Sequence, residues 1–173
     1  DDPAKLAEEL QAMPAQVRPL FAERAAQEPA VKHGHDKAST LANMVCPAYL
    51  MAASAAAQNR RAWVYRFTRV RPGPGGERLG AYHGAEIPYV FDTHDSWLSG
   101  NEVDTRLTTA MVAYWSNFAR TGDPNDSGLA SWPPFDPKHA QLQELGNRIG
   151  AMAPPDEALC GRVAGTLYPG WSQ

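Results

Sequence analysis

The chain has 173 residues, 43% of them apolar and 20% charged, the make-up of a globular domain with room for one sizeable core. Sixteen Lys and Arg against nineteen Asp and Glu leave a net charge of -3 with no basic cluster, which excludes a general attraction to nucleic acid. The Ala-rich tract Ala52 to Ala57 gives way to Gln58-Asn59-Arg60-Arg61, no uninterrupted apolar run is long enough for a bilayer, and no membrane span is expected.

Asp1-Asp2 opens without an initiator Met or the apolar core of a signal peptide, as expected of a chain cut from something longer. Asp2-Pro3 reads as the cap and first residue of a helix. Leu6, Leu10 and Met13, then Val17, Leu20 and Phe21, predict two short amphipathic helices broken by Pro14. Residues 28 to 38 read as a polar loop. Ser39 is a plausible cap for a long helix to about Asn59, with Leu41, Met44, Val45, Ala48 and Ala52 on one face and a kink or break at Pro47. Trp63, Tyr65 and Phe67 alternate with Val64, Arg66 and Thr68 in the period of a strand, which Pro72-Gly73-Pro74-Gly75-Gly76 ends as a turn.

Val103, Leu107, Ala110, Met111, Tyr114, Trp115 and Phe118 recur at spacings of three and four, and Gly122 stands where a C-cap belongs. This is the clearest helix in the chain, and its apolar face is expected to be buried. A loop at Asp123-Pro124-Asn125-Asp126 follows, then Trp132-Pro133-Pro134-Phe135, a short strand from Leu142 to Leu145 and a last helix from about Asp156 to Leu167. Helix, strand, loop, helix, strand and helix in this order suggest the end of an α/β domain.

Between the first strand and the clearest helix lies Gly80-Ala81-Tyr82-His83-Gly84-Ala85-Glu86-Ile87-Pro88-Tyr89-Val90-Phe91. Small residues on both sides leave the imidazole of His83 reachable, and a histidine so placed can serve as general acid or base. On local chemistry alone, a surface or packing histidine beside an ordinary strand explains the same residues.

This stretch, the run Tyr114-Trp115-Ser116-Asn117-Phe118-Ala119-Arg120-Thr121-Gly122-Asp123-Pro124-Asn125, Trp132-Pro133 and Cys46-Pro47 resemble the C-terminal third of the type B carboxylesterases, the cholinesterase-like branch of the α/β-hydrolases. The likeness runs over roughly residues 1 to 169. It implies that residues 1–173 are the C-terminal segment of a single α/β-hydrolase domain, whose central, mostly parallel sheet is flanked by helices. In that family the motif reads His-Gly, a variable residue, Glu, Ile or Leu, a variable residue, Phe or Tyr, then Val-Phe, and its histidine is the base of a Ser-His-acid triad. The resemblance therefore assigns the catalytic histidine to His83.

The family's chain order is nucleophile, acid, histidine. No Gly-x-Ser-x-Gly elbow and no His-Gly-Gly-Gly loop occurs in the sequence, and the family's acid lies further ahead of the histidine than 82 residues allow. Serine and acid are thus expected on a missing N-terminal segment or a companion chain, and this chain alone is expected to be inactive. Glu86, three residues from His83 on the expected strand, resembles the family's buried glutamate that supports the site rather than the acid that orients the histidine. The activity implied is hydrolysis of small carboxylic esters, with no cofactor. The rivals are a non-catalytic cholinesterase-like binding or adhesion module and an independent small binding domain.

Cys46 and Cys160 have no partners for a metal set or a C-x-x-C motif. Both positions resemble the partners of a disulfide in secreted family members, which implies a secreted or periplasmic protein; two buried thiols are the alternative. His33-Gly34-His35-Asp36 reads as two solvated histidines rather than a metal site, so no metal is expected. His94 and Asp95 lie on a segment that in the family borders the active-site gorge, and His94 is the alternative base should the resemblance fail.

Overall fold

The structure, a computed structural model, describes residues 3–168, which fall into two units. One is assembled from three stretches, the chain up to Ala62, Phe135–Ala140 and the chain from Pro154 onward; the other holds Trp63–Pro134 and Gln141–Ala153.

In the first unit, α1 (Pro3–Ala12) and α2 (Arg18–Ala25) flank Pro14, and Met13, Val17 and Phe21 turn into the core as their spacing predicts. The expected cap Asp2 lies outside the described residues. The expected polar loop at 28 to 38 is instead mostly helix, α3 (Val31–Thr40). Its stability comes from packing that the sequence does not advertise: a Cβ at Gly34 would sit 2.8 Å from the Ala25 carbonyl oxygen, so glycine lets α3 approach the end of α2.

Ser39 lies inside α3 and caps nothing; its hydroxyl accepts from Asn43 Nδ2 at 3.2 Å. The helix then passes through a π turn at Leu41–Val45 into α4 (Cys46–Ala57). Pro47 accounts for the irregularity, since it has no N–H for the carbonyl of Asn43 and its ring crowds that oxygen. Cys46 N–H bonds back to the Leu41 carbonyl, five residues earlier, and the added residue rotates everything downstream. The buried face therefore runs through Leu41, Cys46, Tyr49, Ala52 and Ala53, while Met44 and Ala48 are exposed.

By length and composition alone, the continuous helical stretch His33–Ala57 holds an apolar segment long enough to cross a membrane. Here its inner face packs in the unit's core, and a disulfide joins Cys46 to Cys160 on α8 (Glu157–Leu167), with 5.0 Å between the Cα atoms. Asp156, at the head of α8, binds Arg24 Nε through Oδ1 and Lys37 Nζ through Oδ2, both at 2.7 Å. One carboxylate thus ties α8 to α2 and α3. Burial pushes that carboxyl up, but the hydrogen bonds from Lys37 and Arg24 outweigh it and hold the group below its ordinary range.

The second unit carries a three-stranded mixed sheet. β1 (Tyr65–Phe67) runs parallel to β2 (Leu142–Leu145) with Tyr65 opposite Gln143, and β3 (Ile149–Met152) returns antiparallel with Leu145 opposite Ile149. Helices and strands follow one another as an α/β reading expects. The proline-glycine turn continues into a short helix, α5 (Pro74–Leu79), and the apolar run after the histidine loop forms a second, α6 (Ile87–Phe91), where a strand was expected. Pro88 in its first turn lacks the N–H that a sheet would need and that a helix start does not.

The clearest helix of the sequence is α7 (Glu102–Thr121). A reciprocal capping box between Asn101 and Asp104 opens it, and Gly122 closes it in the left-handed region at φ 74°. Leu107, Met111 and Tyr114 are fully buried with Tyr89, Trp132 and Leu145. Phe118 departs from the expected buried face: it is half exposed and stands edge-on to Trp63 at 5.6 Å. Asn125 holds the loop after α7 by exchanging two hydrogen bonds with the Trp132 backbone, at 2.8 and 2.7 Å.

Candidate active site

Beyond β1 the chain carries Arg69 and Arg71, whose side chains both turn inward and are 6% and 8% exposed. α5 follows, and then a chain of tight turns carries His83. Ala85 N–H bonds to the Tyr82 carbonyl at 3.0 Å, Ile87 N–H to Gly84 at 3.1 Å, and Tyr89 N–H to Glu86 at 2.9 Å. Gly84, at φ 88°, takes a conformation that a side chain would strain. His83 is therefore set in an ordered turn rather than beside a strand. Its imidazole is exposed, and among the described residues it has no hydrogen-bond or ion-pair partner.

Glu86 occupies the N-cap position of α6, not a strand. The strand expected to carry both His83 and Glu86 is absent, and the start of α6 sets the direction of Glu86 instead. Its carboxylate faces the phenol of Tyr65 on β1; burial first, and then this negative charge, raise the Tyr65 hydroxyl above its ordinary pKa. No hydrogen bond joins Glu86 to His83 among the described residues.

His94 is committed elsewhere. Its Nδ1 accepts from Arg71 Nη2, and its Nε2 lies 2.7 Å from Thr108 Oγ1, whose own proton goes to the Asp104 carbonyl at 2.8 Å. This pattern requires a neutral ring protonated on Nε2. Burial, and then the adjacent Arg71 charge, lower its pKa. His33 and His35 lie on α3 in the other unit, where His35 Nδ1 is 3.4 Å from Asp36 Oδ1 on the surface. Among the described residues, no group of three or more His, Cys, Asp or Glu gathers as a metal site would need.

Sequence reasoning passed over the polar cluster behind the His83 turn. Arg69 grips Asp104 with Nε on Oδ1 and Nη2 on Oδ2, both at 2.7 Å, while Tyr89 donates its phenolic proton to Oδ1 at 2.6 Å. Arg71 Nε donates to the Tyr89 hydroxyl at 3.1 Å, with the guanidinium 5.1 Å from the ring centre. Burial pushes the Asp104 carboxyl up, but bonds from Arg69, Tyr89 and the Asn101 N–H together hold it well below the carboxylate range. The visible signals were Asn101-x-x-Asp104, a capping box, and the pair Arg69 and Arg71, two residues apart just beyond the predicted strand.

A carboxylesterase family profile matches residues 4–158. The chain belongs to the carboxylesterase family. Among similar carboxylesterases, human cocaine esterase is 35% identical over 88 residues, half of this chain and 14% of that protein. Bovine carboxylesterase 4A is 38% identical over 94 residues, 52% of this chain and 17% of its own length. Rat carboxylesterase 1C is 34% identical over 119 residues, 66% of this chain and 21% of its own length. The chain thus spans about a fifth or less of each of these relatives. The His83 turn, the Asp104 cluster and α7 all fall inside the stretch that the carboxylesterase profile covers.

Proposed function

We propose that this chain is the C-terminal segment of a single α/β-hydrolase domain in which His83 is the general base of a serine carboxylic-ester hydrolase. The observation that carries the reading is the exposed, unpartnered imidazole of His83, presented by an ordered turn inside a carboxylesterase sequence. A histidine held for packing would have its ring nitrogens engaged, as His94 does.

One ring nitrogen of His83 takes the proton of a serine hydroxyl as its oxygen attacks the ester carbonyl, and the resulting imidazolium returns that proton to the departing alcohol. The other nitrogen donates to a carboxylate that fixes the tautomer. Neither Glu86, turned to Tyr65, nor Asp104, saturated by Arg69 and Tyr89, is placed for that role. Serine, acid and oxyanion donors come from the N-terminal part of the enzyme or a companion chain, and the substrate is a small-molecule ester. The Cys46–Cys160 bond supports a secreted or periplasmic setting.

In the full-length enzyme, His83→Ala is expected to lower kcat on p-nitrophenyl acetate by about six orders of magnitude with the fold retained. A rate near that of the unsubstituted enzyme would take the triad base away from His83. The 173-residue chain alone should not exceed free imidazole in the same assay.

A further inference from the structure

We infer that Tyr89 and Asp104 are positioning residues for His83: the phenol-to-carboxylate bond between them fixes the turn on which the imidazole is carried. The inference rests on the assignment of His83 as the base.

Helix α6 has five residues, too few to hold itself in water. Ile87 and Phe91 are exposed, and Tyr89 is the residue of α6 that is fully buried. Val90 packs half-buried against the same core, so Tyr89 is the deeper of the two anchors of α6. The backbone bonds from Tyr82 to Val90 then pass that position to His83 with no unbonded stretch between.

Tyr89 is held by more than its ring. Its hydroxyl donates to Asp104 Oδ1 at 2.6 Å and accepts from Arg71 Nε at 3.1 Å. Asp104 cannot drift, because Arg69 grips both its oxygens and the Asn101 N–H donates to Oδ2 at 2.8 Å, locking it to the start of the twenty-residue α7. His94 closes the far side, edge-on to the Tyr89 ring at 4.7 Å. The tether thus runs from the body of α7 through Asp104 and Tyr89 to α6 and the turn. An imidazole that must meet a serine hydroxyl within a few tenths of an ångström depends on such support, since a displacement of about 1 Å can reduce turnover by about 100-fold. Tyr89→Phe keeps the ring and removes only the tether, leaving Arg71 Nε and Asp104 Oδ1 one partner short.

The test uses the full-length enzyme, with each preparation normalised by active-site titration with a covalent serine reagent, except His83→Ala, which lacks the base that activates the serine and is normalised by folded protein. Tyr89→Phe is expected to lower kcat per titrated site by about 10-fold, and Asp104→Asn by about 100-fold, with KM within about twofold in both. A residue serving only the fold would lower the titratable fraction or the melting temperature and leave kcat per site untouched. That result for Tyr89→Phe overturns the inference. Should Asp104→Asn fail to fold, Tyr89→Phe decides alone. His83→Ala, run in parallel, separates the two readings. If it abolishes turnover while Tyr89→Phe is silent, only the tether falls; if it retains turnover, the base assignment falls and the tether with it.

Discussion

Replacing Cys46 and Cys160 together by alanine opens a ring whose ends are 114 positions apart in sequence. In the chain-entropy description, closing a loop of that length removes about 16 cal/mol/K from the unfolded ensemble, or about 4.8 kcal/mol at 25 °C. Both cysteines are buried, so truncating them adds a little lost packing to this figure. For a chain of this size each kcal/mol corresponds to about 2–4 °C, which places the expected fall in melting temperature at roughly 10–20 °C. Circular dichroism melts of the oxidised protein, the reduced protein and the double variant measure it, and the last two should nearly coincide. A fall below about 3 °C would refute the reasoning, because the unfolded chain would then already be confined without the bond.

Asp156→Ala leaves Arg24 and Lys37 without their shared carboxylate and should cost about 2–3 kcal/mol in urea unfolding, less than for a fully buried pair because all three groups are partly exposed. Because the folded state holds the Asp156 carboxyl below its ordinary value of 3.8, its contribution is complete above that pH and is lost as pH falls further; the variant should lack this acid-side loss. His94, depressed from 6.5 and faced by Arg71, Asp92, Asp95 and Asp104, contributes stability above pH 6.5 that declines as pH drops below it. Urea midpoints between pH 6.5 and 5 should therefore decline less in His94→Asn than in the parent, and an identical slope would contradict the neutral ring. Glu86→Gln in the full-length enzyme should cut kcat by about tenfold, whereas loss of a true triad acid costs about four orders of magnitude.

Much of α7 was legible because two independent signals agree on it, the spacing of Leu107, Met111 and Tyr114 and the stop at Gly122, whereas the cap at Asn101 was overlooked. β2 emerged at Leu142–Leu145, and the pairing of Cys46 with Cys160 followed from the family resemblance. α3 was not legible, since Val31–Thr40 has a polar sequence whose helix depends on contact with α2. α6 was misread because five apolar residues suit either period, and the cue in Pro88 was passed over. At the site, His83 stood out through its neighbours, whereas the grip of Arg69 on Asp104, 35 positions away, exists only once the chain has folded.

The π turn at Leu41–Val45 bears on how relatives should be aligned. Deleting one residue there would remove the added residue of the π turn although Pro47 stays, and Cys46 would take the place of Val45, turned by about 100° and displaced by about 1.5 Å along the axis. Its Cβ would then no longer point at Cys160, and a disulfide tolerates little error in that direction. Alignment gaps should therefore fall outside Leu41–Val45 wherever both cysteines are present, and a shortening inside it should coincide with loss of the pair.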